Sequence, residues 1–93
     1  EEAIATIHEV NAQGKSIWQW QAPNGPNRRA YQALRLPNGN TLVSLNDPGE
    51  VVEVSQDGQI VRSIAGANLR LQFGWASGMA LFPNGNLLIS DYT

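Results

Sequence analysis

Leu36-Pro37-Asn38-Gly39-Asn40-Thr41-Leu42-Val43-Ser44 occurs twice in this 93-residue chain. The second copy, Phe82-Pro83-Asn84-Gly85-Asn86-Leu87-Leu88-Ile89-Ser90, lies 46 residues further on. Pro-Asn-Gly-Asn is unchanged between them, and Leu42 and Ser44 recur as Leu88 and Ser90. Leu36 and Val43 give way to Phe82 and Ile89, and Thr41 against Leu87 is the one change of character. Internal repetition at such a period points to a repeat architecture.

Asn-Gly between apolar runs is a hairpin signal, and it predicts a two-residue type I′ turn with Asn38-Gly39 and Asn84-Gly85 at its centre. Pro37 and Pro83 cannot donate to a ladder, which places them at strand ends. The runs after the turns, Thr41 to Leu45 and Leu87 to Ile89, are short and apolar and read as strands covered on both faces. They are too short, and too often interrupted by Pro and Gly, to be helices. A second hairpin follows the first, with Glu50-Val51-Val52-Glu53-Val54, a turn over Gln56-Asp57-Gly58-Gln59, and Ile60-Val61-Arg62-Ser63-Ile64. The unit is four antiparallel strands, A to D: Ala30–Leu36, Asn40–Leu45, Glu50–Ser55 and Ile60–Ile64. A four-stranded meander repeated every 40 to 50 residues or so is the sequence signature of a β-propeller blade.

The chain opens inside such a unit. Ala3 to Val10, a turn over Asn11 to Lys15, and Ser16 to Trp20 match strands C and D, with Glu9-Val10 standing 44 residues before Glu53-Val54. Residues 1–22 thus supply strands C and D of a split blade, 30–66 a complete blade, and 76–93 strands A and B of the split one. The whole, 1–93, is a unit of two blade equivalents. Two blades cannot close a ring that normally holds about 4 to 8. The complementary halves imply either a fragment of a longer propeller or copies joined head to tail, each completing its neighbour's split blade. Apolar terminal strands with no capping character favour the second, because a closing heterologous contact hides every edge. The wide wedge implied by bulky Trp18 and Trp20 on strand D favours a trimer with six blades over a tetramer with eight. A chain that opens on Glu1 and carries self-complementary ends also reads as a fragment or a designed unit.

Composition sets outer bounds. A net charge of −2 with six scattered Lys and Arg leaves no nucleic-acid footprint. No run of about 18 apolar residues predicts a membrane span, and no signal-peptide pattern is present. Zero Cys excludes disulfides, thiolate metal sites and a Cys nucleophile, and leaves the compartment open.

Ala33 to Leu42 and Gly49 to Val61 together resemble bacterial β-propeller repeats of the quinoprotein-like and arylsulfotransferase-like kind, and are similar to NHL-type repeats. The resemblance covers the whole chain and implies the propeller fold. Arylsulfotransferase-like families act through histidines near the central channel. The single His8 lies on strand C, so that activity does not carry over, and the clustered polar residues of quinone-cofactor enzymes are not matched.

Few residues invite chemistry. His8 and Glu9 are strand neighbours that point to opposite faces, which makes a poor acid–base pair. Asp47, Glu50, Asp91, Glu1 and Glu2 gather on the B–C connections, where carboxylates also serve as ordinary turn residues. The D–A connections bring Arg28, Arg29 and Tyr31 to one strand A, and Arg70 and Trp75 to the other. Repeated around a ring, these would offer forks for an anion and stacking planes for a sugar; the plainer alternative packs the aromatics between blades. Trp18 and Trp20 share one face and read as packing. The residues therefore favour a structural, self-assembling scaffold, not an enzyme, with neither cofactor nor metal and with itself as partner. A carbohydrate- or anion-binding propeller using Arg28, Arg29, Tyr31, Arg70 and Trp75 is the second reading, and a piece of a propeller enzyme the third.

Overall fold

The computed structural model describes residues 5–23, 28–46, 49–65 and 76–91. These form eight strands and no helix: β1 (Thr6–Val10), β2 (Ser16–Gln21), β3 (Arg29–Arg35), β4 (Thr41–Asn46), β5 (Glu50–Val54), β6 (Ile60–Ala65), β7 (Ala76–Leu81) and β8 (Leu87–Asp91). Strands β3 to β6 make a four-stranded antiparallel meander in sequence order, while β1–β2 and β7–β8 are separate two-stranded sheets. The order expected from the repeat, two strands, four strands, two strands, is the order observed.

The three sheets stack. One core cluster joins Trp20 and Ala22 to Val43, Leu45, Val52 and Val54, with Ile7 and Trp18 at its margin. It cements the β1–β2 hairpin to one face of the meander. A second cluster joins Leu42, Val51 and Met79, with Leu34, Leu87 and Ile89 beside them, and holds the β7–β8 hairpin to the opposite face. Alternation along β4 sends Val43 and Leu45 one way and Leu42 the other, so β4 feeds both cores and is buried along its whole length. Fully burying each such Val or Leu contributes about 1.5–3 kcal/mol. The paired tryptophans also anchor through their polar tips: Trp18 Nε1 donates to the Gln56 carbonyl (2.8 Å) and Trp20 Nε1 to that of Gly58 (3.2 Å).

The turns depart from the type I′ form. Each loop has three residues, and Pro37-Asn38-Gly39 is closed by Leu36 N–H to Asn40 O (2.8 Å) and Gly39 N–H to Leu36 O (2.9 Å). A two-residue turn on Asn38-Gly39 would pair residue 37 with residue 40 and ask Pro37 for an N–H it lacks. Taking Pro37 into the loop uses its fixed φ as the first central residue of a type I turn. The positive φ then falls on Gly39, at 91°. The Asn38 side chain takes the Asn40 N–H at 2.9 Å and closes the turn. Residues 11–15, 55–59 and 82–86 repeat the same backbone bonds.

Ser44 explains another part of the repeat. The pairing of β3 with β4 slips between Ala30 and Gln32, leaving Tyr31 as an extra residue. Ser44 Oγ sits at that bulge, accepting from Gln32 N–H (3.1 Å). The same slip recurs between Ala76 and Gly78, where Ser90 Oγ donates to the Gly78 carbonyl (3.5 Å).

One expectation fails. β8, predicted to be covered on both faces, is covered on one, because its two-stranded sheet ends the stack and nothing among the described residues lies beyond it.

Gly39→Ala is expected to destabilise the chain by about 1–2 kcal/mol in urea unfolding, since an L side chain at this φ is strained. Its Cβ would also meet the Gln56 side-chain amide. Gly14→Ala, with open space around the new Cβ, should show the backbone strain alone and so cost less.

Candidate functional site

The complete meander carries a buried carboxylate in the middle of its Val run. Glu53 on β5 points from the sheet beneath the β3–β4 turn and is almost wholly buried. Its Oε2 accepts from Asn40 Nδ2 (2.8 Å) and Asn38 Nδ2 (3.4 Å), and its Oε1 accepts from Arg62 Nε on β6 (2.7 Å). The bond from Asn40, then that from Arg62, holds the Glu53 carboxyl below the usual glutamate range, against the opposing effect of burial. Glu53 thus clasps the turn of one hairpin to the return strand of the next. The signal for it in the sequence was the alignment of Glu9 with Glu53, an acid kept at one position of an apolar strand.

The residues proposed from sequence are placed as follows. Arg28 is buried and its Nη1 donates to Glu50 Oε1 at 3.2 Å, so the B–C acid Glu50 and the D–A arginine form one ion pair. Glu50 also accepts from Ser63 Oγ (3.1 Å), which leaves this carboxylate engaged on both oxygens. Arg29 is exposed at the start of β3, across from Asn46, and Tyr31 is exposed in the bulge. Arg70, Trp75, Asp47, Glu1 and Glu2 lie outside the described residues. His8 is exposed and lies opposite Gln19, while Glu9 lies opposite Trp18, on alternate faces of β1 as strand geometry requires. Among the described residues, no three His, Asp or Glu side chains gather as a metal site would need.

The most informative surface lies where the two outer sheets stop. Among the described residues β1 pairs only with β2, and β8 only with β7. Equivalent residues then have opposite environments. Leu42 on β4 is 2% exposed, and its repeat equivalent Leu88 on β8 is 58% exposed. Val54 on β5 is 0% exposed, and its equivalent Val10 on β1 is 57% exposed.

Beside the open edge of β1 lies a cleft of about 310 Å³, floored by Ala33, Arg35 and Thr41 of the meander and walled by Ile7, Glu9 and Trp18. Arg35 crosses it. Its Nη2 meets Glu9 Oε1 at 2.8 Å, its Nε donates to Thr41 Oγ1 at 3.1 Å, and its guanidinium lies 5.5 Å from the Trp18 ring centroid. The cleft lies between β3 and the β1–β2 hairpin, which line it together. On the other face of the meander the corresponding space is filled: β7 packs on β3 and β4, and Gln32 Oε1 accepts the Met79 N–H.

Because the carboxyl of Glu53 is held low, the unfolded chain binds more protons than the folded one between the folded value and the ordinary value of about 4.3. The stability it contributes is complete above about pH 5 and is lost as the pH falls through the folded value. Glu53→Gln should cost about 1–3 kcal/mol at neutral pH and flatten the acid limb of stability measured by urea unfolding against pH.

No family model, no curated protein and no solved structure matches this chain.

Proposed function

We propose that the chain is a structural scaffold that assembles with copies of itself, head to tail, into a closed β-propeller without catalysis. The observation that carries the proposal is the pair of two-stranded half-sheets, each with an edge left open among the described residues, in which Leu88 and Val10 are exposed while Leu42 and Val54 are buried. Joining β8 of one copy to β1 of another would build a second four-stranded meander and hide both residues. The sheets stack face to face, with β3 in contact with β7 and β6 largely exposed, which supports reading them as neighbouring blades with β3 and β7 innermost. The two hairpins lie on opposite faces of the meander, so the contact is heterologous, and it closes only if the rotation per copy divides the circle. Three copies would give six blades, and this number is preferred to four copies with eight.

Native mass spectrometry over a dilution series should find a single species at three protomer masses. A monodisperse folded monomer down to low micromolar concentration would sink the proposal. Leu88→Lys places a charge in the seam and should shift the population to monomer, while leaving the meander folded by circular dichroism.

A further inference from the structure

The assembly proposed above leaves open what selects one pairing register between copies, since two apolar strand edges can pair in several. The complete meander contains the device. Its β4–β5 ladder sets Leu42 opposite Glu53, Val43 opposite Val52 and Ser44 opposite Val51. In this register the Asn38 and Asn40 amides reach Glu53 Oε2 while an arginine occupies Oε1.

The carboxylate and the two amides of the clasp exist a second time, but divided, while Trp18 stands opposite Glu9 where Arg62 stands opposite Glu53. Glu9 on β1 stands where Glu53 stands on β5, and Asn84 and Asn86 stand where Asn38 and Asn40 do. The turn that carries them is already built to the same pattern. Phe82 N–H to Asn86 O measures 2.8 Å, Asn86 N–H to Asn84 Oδ1 measures 2.9 Å, and φ of Gly85 is 90°. The acceptor is equally prepared: Glu9 Oε1 takes Arg35 at 2.8 Å, while its Oε2 has no partner among the described residues. Within one chain the two halves cannot meet, because β1–β2 and β7–β8 lie on opposite faces of the meander.

We infer that Glu9 of one copy accepts the side-chain amides of Asn84 and Asn86 of a second copy, and that this clasp sets the register of the seam. Leu88 then stands opposite Glu9 across the joint, Ile89 opposite His8, and Ser90 opposite Ile7. A slip by one residue would turn every seam side chain to the wrong face and take the amides away from the carboxylate. The inference rests on the self-assembly reading, with a second copy of this chain as the partner. Bonds from neutral amides to an ionised carboxylate are among the stronger ones, and preformed donors lose little freedom on docking.

The chain has no cysteine, so introduced ones report cleanly. His8→Cys combined with Ile89→Cys in one chain should give disulfide-linked multimers under mild oxidation. His8→Cys with Leu88→Cys, displaced by one residue, should cross-link at least about tenfold less, because opposed residues share a face and successive ones do not. Glu9→Gln and Asn86→Ala should each weaken assembly about tenfold by sedimentation analysis, and together no more than either alone, as coupled partners do. Preferred cross-linking of the displaced pair, or additive effects of the two substitutions in a protein that still assembles, would overturn the clasp and leave the ring standing. An unmodified chain that stays monomeric would remove the ring and the clasp together.

Discussion

A strand at the edge of a sheet presents a row of peptide groups that only water or another strand can satisfy, and a strand whose side chains are apolar cannot use water well on both counts. In this chain that constraint is met at β4 and β5, which have neighbours on both edges, whereas among the described residues their repeat equivalents β8 and β1 are edge strands. The rest of the molecule is arranged around the difference. β4 shows the satisfied condition, with neighbours on both edges, a hairpin stacked on each face and all six residues buried. β8 shares Leu88, Ser90 and the apolar Ile89 with β4 and, among the described residues, has one neighbour and one covered face.

The repeated residues divide their labour in a way that makes the unit self-consistent. Pro37 and Gly39 shape the turn, Asn38 closes it, and Asn40 extends its amide to Glu53 beneath. Ser44 pays out nothing to the core; it fills the bulge that lets β3 carry Tyr31 as an extra residue. Between sheets the polar links are few and placed at the margins: two indole N–H groups on backbone carbonyls at one end, and Gln32 on the Met79 amide at the other. Apolar burial holds the layers together, and these links fix how they are rotated and shifted. Arg35 belongs to the same group, since it ties Glu9 of the first hairpin to the meander across the edge of Trp18.

The strand order was legible from the repeat because alternation and turn residues are local properties, and the observed strands lie within a few residues of those read from sequence. Asn-Gly on its own points to a two-residue turn, and the proline before it, whose missing N–H forbids that shorter loop, makes the loop three residues long. Packing between Trp18, Trp20 and the meander was legible from their shared face, and the interaction of their indole nitrogens with Gln56 and Gly58 was not, since it spans 38 residues. Arg28 is buried against Glu50, a pairing across 22 residues that no local pattern announces. The role of Glu53 is hidden for a similar reason: a single acid in a Val run resembles an outward-facing residue until the turn above it is placed.

Backbone amide hydrogen exchange, followed residue by residue at a concentration where the protein is assembled, tests the central claim most directly. The account predicts that the alternate amides of β1 and β8 facing the open edges exchange as slowly as those of β4 and β5, and that they lose this protection on dilution while the meander keeps its own. Fast exchange at those edges at every concentration would mean that no strand pairs there, and the account of a shared second meander would be wrong.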